Sequence, residues 1–394
     1  GLMRICHVTS HLPPDQAANA LLPHHLGEWA WQAGHDVRFV SHPPRSMGAA
    51  TTAELDAHAR ALAGRVVWVP PHRRSGRLSR ALRLPSMAGA RRISRLAGPV
   101  IADSDVVHVH SNGLLPEWCA RLAARAGRPV VLTLYGTEIW HYHAKSFGPD
   151  LFTRAYRTAD RVTFYSKALL DRAIESGLVR SGLSVVYPPV ASYFEPATSA
   201  RREHARAELG ISERFVLVNV KRLHPLAGQD TLLAAMPAVI QRFPDTRLLI
   251  CGTGPLRDDL ERLARDLRIE THVTFAGLVD NARIPLYYQA ADLFVLPSRL
   301  EALPTVAVEA LATGTPVVST DNPGGTELAG VFGPDVAVVP RNDPGALGEA
   351  IVAFLKDPRR TQPSTAEAVG RLFTGPVVSR RYLDLYAEVL GSRA

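Results

Sequence analysis

The feature that most constrains this chain is a rhythm. Short apolar runs rich in Val, Leu and Ile alternate with longer amphipathic stretches. "RICHVTS", "DVRFVS", "RVVWVP", "DVVHVHS", "PVVLTLYG", "RVTFYS" and "LSVVYPP" make a first series. "FVLVNVK", "RLLICGTG", "HVTFAG", "LFVLPS", "PVVST" and "VAVVP" make a second. Near-continuous apolar runs mark strands buried on both faces, and strand–helix alternation makes their sheets parallel. A chain of 394 residues exceeds what one ordinary core serves. The proline-rich "YPPVASYFEP" separates the two series and reads as a domain junction, near residues 188–200. The expected fold is therefore α/β. One Rossmann-like domain covers residues 1–190 and a second covers 200–374. A last helix, in 375–394, follows a break at Gly375-Pro376 and crosses back to the first domain. Two such sheets facing each other place a ligand in the cleft between them, at the C-terminal ends of the strands.

Charge narrows the partners. The formal net charge is +8, and arginine dominates it: the lysines are only Lys145, Lys167, Lys221 and Lys356. This bias fits a GC-rich genome as well as it fits function. No acid occurs from Ala57 to Ala102, where Arg73, Arg74, Arg77, Arg80, Arg83, Arg91, Arg92 and Arg95 cluster. Such a stretch attracts an anionic lipid surface or substrate, or is a solvated loop with helices, the favoured reading. No helix-turn-helix, zinc or aromatic stacking pattern accompanies the arginines, which argues against a nucleic-acid partner. Cys6, Cys119 and Cys251 lie far apart, with neither metal nor disulfide spacing, as expected in a reducing cytoplasm. No apolar run approaches the roughly 18 residues that a membrane span needs.

The densest chemistry lies in "LFVLPSRLEALPTVAVEALATGTPVVST", residues 293–320. A strand ends at Pro297-Ser298, and a helix runs from near Pro304 to Gly314. Its N-terminus suits a phosphate, and carboxylates beside it suit sugar and ribose hydroxyls. Spacing alone favours Glu301 as a capping or surface acid and Glu309 as a solvated helix residue. A second feature is Lys221-Arg222 at the end of "FVLVNV", where cations at a strand end suit an anion.

Together these stretches resemble glycosyltransferase family 4, the retaining, metal-independent group with the two-domain GT-B architecture. Glu301 and Glu309 are separated by seven residues and followed by Ala310 and "GTPV", as in the family's Glu-x7-Glu motif. "ICGTGPLRDDLERLA", "VTFAGLVDNARIPLYYQAADLFVLPS" and "NPGGTEL" match neighbouring family segments, and "GHDVRFVS", "DVVHVH" and "TLYGTEIW" match more loosely. The resemblance implies a nucleotide-diphosphate sugar (UDP or GDP) as donor, with no cofactor and no metal. It implies that Arg222 grips the diphosphate, a task for a planar, permanently charged fork. Glu301 would take hydroxyls of the transferred sugar and Glu309 those of the ribose. Backbone at Leu303, Thr305 and Val306 would meet the phosphates. Gly277, Leu278 and Val279 would lie against the base, near Gly252 and Gly254 of the "CGTGPL" turn. The leaving phosphate would deprotonate the acceptor, with no covalent intermediate.

Three positions depart from the family. Ala227 stands where a second diphosphate cation is usual, leaving Lys221, His224 or Arg299 as substitutes. Ala17-Ala18 replaces a glycine pair that lets backbone approach the donor. Tyr135 replaces a histidine before Gly136, and a tyrosine carries no positive charge near neutral pH. Either the site is tuned to an unusual substrate or the chain binds without transferring; retention of Arg222, Glu301 and Glu309 favours an active enzyme. In the first domain, His108, His110, Tyr135, Glu138, Trp140, His141 and His143 follow two strand ends, and are acceptor-binding candidates or ordinary packing and surface. His110 matches a family position. His141 and His143, two apart in a loop without an acid partner, do not make a metal site. The leading expectation is transfer to a small soluble acceptor, such as a specialised metabolite of the antibiotic kind. The alternatives are a lipid acceptor at a membrane surface and a silent nucleotide-sugar binder.

Overall fold

The computed structural model describes residues 1–45, 53–72 and 84–393. The chain divides into two compact units, Gly1–Tyr187 with Val378–Ala394, and Pro188–Val377. Of the arginine cluster, Arg73, Arg74, Arg77, Arg80 and Arg83 lie outside the described residues.

The first unit holds a seven-stranded sheet in the order β3-β2-β1-β4-β5-β6-β7. Its strands are β1 (Arg4–Thr9), β2 (Asp36–Ser41), β3 (Val66–Trp68), β4 (Val106–His110), β5 (Val130–Leu134), β6 (Arg161–Phe164) and β7 (Leu183–Val185). All pairs are parallel. These are the seven apolar runs of the first series, and β4 and β5 are buried at every position, as a sheet covered on both faces requires. One covering layer includes the chain's last helix, Gly375–Gly391, which packs Val378, Tyr382, Tyr386 and Val389 with Ile5, Phe39 and Val131 of the sheet.

The second unit holds six parallel strands in the order β10-β9-β8-β11-β12-β13. They are β8 (Phe215–Val220), β9 (Thr246–Cys251), β10 (Val273–Gly277), β11 (Leu293–Leu296), β12 (Val317–Thr320) and β13 (Val336–Val339). One face is sealed by helices Gln229–Arg242 and Pro344–Lys356, whose Leu232, Met236, Val239, Leu347 and Ile351 join Leu217, Leu248, Ile250 and Val295.

Both orders reverse direction at one place: between β1 and β4, and between β8 and β11. In open α/β sheets a ligand crevice opens beyond the strand ends at such a reversal. The order β8-β11 puts the segment after β8, Lys221-Arg222, next to the segment after β11, which carries Glu301. Strand pairing thus joins residues eighty positions apart.

Candidate active site

In the second unit β8 ends at Val220, so Lys221 and Arg222 stand in the loop beyond it and strand alternation no longer sets their directions. The neighbouring β9 loop holds this segment: Lys221 N donates to Cys251 O at 3.0 Å and Leu223 N to Thr253 O at 2.9 Å. The two backbones approach so closely that a Cβ at Gly252 would lie 2.1 Å from Lys221 O, and one at Gly254 2.3 Å from Leu223 O. These glycines therefore shape the loop that presents Arg222. The Arg222 side chain is exposed and has no ion-pair partner among the described residues.

Lys221 has a partner. Its Nζ lies 2.8 Å from Glu301 Oε1 and 3.0 Å from Oε2. Ser298 Oγ donates to Oε1 at 2.8 Å. Glu301 is 8% exposed, and a carboxylate that far from water requires pairing of this kind. The other two candidate cations are held elsewhere. Arg299 Nη2 bonds both carboxylate oxygens of Asp230, at 3.0 and 3.1 Å, and its Nε donates to Asn342 at 2.6 Å. The His224 ring accepts from Leu226 N and caps the short turn Pro225–Ala227. Ala227 is buried.

Glu309 sits half-buried in helix Thr305–Ala312. Desolvation pushes its carboxyl up to about 8, and the Lys221 charge opposes this. Pro304 precedes the helix and supplies no side-chain cap. The first-turn amides of Thr305 and Val306, on half-buried residues, have no acceptor within the helix. Leu303 is buried beside them. At the end of β10, Gly277 takes φ +70° and accepts from Gly252 N at 2.7 Å, while Leu278 is exposed and Val279 half-exposed.

In the first unit, Ala17 precedes helix Ala18–Gln32 with φ −65° and ψ 152°. Both alanines are exposed and neither has a positive φ. The departure from glycine therefore brings no backbone strain. His110, at the end of β4, bonds Tyr135 Oη through Nδ1 at 2.7 Å and His7 Nδ1 through Nε2 at 2.9 Å. His108 bonds Tyr386 Oη at 2.5 Å and Thr133 Oγ1 at 2.6 Å, and its ring stacks 3.9 Å from that of His110. Burial drives all three imidazoles down, His7 to about 3, so they are neutral. The phenol of Tyr135 is driven up, also by burial.

Glu138 has a role that spacing did not show. It is 5% exposed, accepts from Tyr135 N and Gly136 N through one oxygen and from Ser111 Oγ through the other at 2.9 Å. It clamps the loop after β5. Trp140 packs against the core, whereas His141 and His143 are exposed. Two histidine groups that the sequence did not single out converge: His7 with His108 and His110, and His24 with His25 and His58. Parallel register pairs His7 with His108, and loop spacing carries no trace of that. Leu114, Trp118 and Leu151, with Met87 and Ala90, floor a groove of about 680 Å³ rimmed by Arg91, Arg95 and Arg121.

Two parallel Rossmann-like sheets, the second with a paired carboxylate and an unpaired arginine at its reversal, are the arrangement of the GT-B fold. The profile "Glycosyl transferases group 1" matches residues 201–369 and "Glycosyltransferase Family 4" matches residues 23–192. A GDP-mannose-dependent alpha-(1-6)-phosphatidylinositol monomannoside mannosyltransferase of Mycolicibacterium smegmatis is 33% identical over 71% of this chain and 74% of its own length. A D-inositol 3-phosphate glycosyltransferase of Catenulispora acidiphila is 31% identical over 73% and 72%. The crystal structure of Anabaena HepE in complex with UDP superposes with a TM-score of 0.74 at 18% identity, over 98% of this chain and 100% of that one, and shows the same fold. The chain belongs to glycosyltransferase family 4, and it is a nucleotide-sugar glycosyltransferase. Among the described residues, no helix is long and apolar enough to cross a membrane.

Proposed function

We propose that this enzyme transfers mannose from GDP-mannose, with retention, to the inositol of a phosphorylated acceptor. The observation that carries the reading is the Lys221–Glu301 pair beside the unpaired Arg222, at the reversal of the second sheet. The choice of donor and acceptor rests on the relatives described above. Arg222 and the first-turn amides of Thr305 and Val306 meet the diphosphate, whose growing charge as the sugar leaves they stabilise. Glu301, fixed by Lys221 and Ser298, accepts hydroxyls of the mannose. Glu309 accepts ribose hydroxyls, which favours its ionised form and releases a proton on donor binding. Leu278 and Val279 offer apolar surface to the base. The departing phosphate takes the acceptor proton on the face it leaves, so configuration is kept. Charge neutralisation comes from protein groups, and the reading assigns no metal to this step.

A second reading of the acceptor is favoured by the groove in the first unit. An apolar floor under three arginines fits an anionic lipid better than a small polyol phosphate. Transfer assays with GDP-mannose and UDP-glucose, each offered inositol phosphate in solution or phosphatidylinositol in vesicles, decide both points. Turnover with GDP-mannose and either inositol acceptor supports the proposal, and the more active acceptor separates the two readings. Turnover with UDP-glucose alone would overturn the donor assignment.

A further inference from the structure

Far along the chain from the donor motif, helices Ala18–Gln32 and Ala53–Leu62 bring three imidazoles and two carboxylates together. His24 and Glu28, and likewise Glu54 and His58, are four residues apart, so each pair lies on one helix face. The His24 and His58 ring centroids are 4.3 Å apart, and His25 lies 5.3 Å from each. One nitrogen from each ring falls within 4.8 Å of the other two.

His24 is the anomaly. Its side chain is fully buried, yet neither ring nitrogen has a hydrogen-bond partner. Its Nε2 is 3.2 Å from Glu28 Oε2 but off the line of a hydrogen bond. Buried imidazoles without partners are rare, because desolvation of the ring goes uncompensated. A separation of 3.2 Å is close to the edge of a tetrahedron with metal bonds of about 2.0–2.1 Å, roughly 3.3 Å. His58 and His25 are half-exposed and can close the remaining gap by side-chain rotation.

The other triad is largely satisfied, with His7 Nε2 its one buried nitrogen without a partner. His108 and His110 have both nitrogens engaged by Thr133, Tyr386, Tyr135 and His7.

We propose that His24, His25 and His58 bind one divalent transition-metal ion, of which Zn²⁺ is the probe of choice, and that Glu28, beside His24, turns in as fourth ligand. Three imidazoles and one carboxylate suit Zn²⁺, Co²⁺ or Ni²⁺ and not the oxygen-seeking Mg²⁺ or Ca²⁺. The ion fastens the Ala53–Leu62 helix to the Ala18–Gln32 helix, and Glu54, 3.6 Å from His58, orients that ring from outside. The site is structural and has no part in sugar transfer.

The test uses the full chain without an affinity tag, stripped by chelator and dialysed against Zn²⁺. The expected result is one zinc per chain, a raised melting temperature, and visible absorption of a tetrahedral site when Co²⁺ replaces Zn²⁺. His25→Ala and His58→Ala, both at half-exposed positions, each lower zinc affinity by at least about tenfold while leaving the circular dichroism spectrum unchanged. Zinc no higher than in the dialysis buffer, or the same affinity in the His25→Ala/His58→Ala double variant, overturns the proposal. Should the double variant fail to fold, the Co²⁺ spectrum of the wild type decides alone: an octahedral spectrum, or none, counts against the site.

Discussion

The two units solve the same folding problem and treat ionisable groups in opposite ways. Of the fifteen histidines, twelve lie in the first unit, and His7, His24, His108 and His110 are fully buried there. The second unit has only His204 and His224, which are exposed, and the half-exposed His272. Its ionisable groups at the sheet reversal are carboxylates and cations instead: buried Glu301 held by Lys221, half-buried Glu309 whose carboxyl desolvation pushes up, and exposed Arg222. The first unit buries neutral rings that must not ionise, and its buried carboxylate, Glu138, is spent on clamping its own loop. The second keeps carboxylates and an unpaired cation ready for a charged ligand. A site for an anionic donor calls for the latter.

The largest expected effect concerns the unpaired cation. Arg222→Ala lowers the transfer rate by about 10²–10³-fold, the loss typical of one charge-stabilising donor. A kcat within threefold of wild type would move the donor site away from the end of β8. Next comes the pair. Lys221→Ala leaves Glu301 buried without its counter-charge, and turnover falls at least about tenfold. The stability of the second unit falls with it, which a Lys221→Arg variant restores in part. A near-wild-type rate in Lys221→Ala would make the lysine a structural residue only.

Acid sharpens the contrast between the units. For His7, His108 and His110 the folded pKa is depressed. Their contribution to stability is therefore complete above the ordinary value of about 6.5 and is lost as pH falls toward the folded values, at about 1.4 kcal/mol per pH unit for each group. Glu309 has the opposite sign. Its folded pKa is raised, so its contribution is present at low pH and is lost as pH rises from its ordinary range through about 8. All five tryptophans, Trp29, Trp31, Trp68, Trp118 and Trp140, belong to the first unit. Tryptophan fluorescence therefore follows that unit alone, whereas far-ultraviolet circular dichroism follows both. Between pH 6 and 4 the fluorescence transition precedes the loss of ellipticity. Coincident transitions would mean that the histidines do not separate the units.

The smallest effect is on donor binding. If ribose hydroxyls select ionised Glu309, GDP affinity rises between pH 6.5 and 8.5, by at most about tenfold per pH unit. Glu309→Gln flattens the profile. A profile equally steep in the variant would assign the proton to another group.

Legibility in the sequence follows the same divide. Both sheets were readable because strands buried on two faces appear as continuous apolar runs, and all thirteen runs became strands. The carboxylates at 301 and 309 were readable because one short loop and one helix carry both. The Lys221–Glu301 contact was not, since it depends on β8 and β11 being neighbours, a property of strand order. The histidine groups were hidden for a similar reason: His7 meets His108 through register, and His24 meets His58 between two helices. Glu138 looked like a ligand because it follows a strand end, yet the backbone amides of its own loop take one oxygen and the Ser111 hydroxyl takes the other. Ala17 and Ala18 carry no positive φ, so the backbone-strain part of their departure from glycine falls away, while the Cβ that each adds remains.

The most direct test of the central claim, that the loop after β8 holds the donor diphosphate, is calorimetric titration of GDP into wild type and Arg222→Ala. The account predicts that the variant binds at least about tenfold more weakly, the worth of one charge-assisted contact. Equal affinity in the two proteins would contradict it.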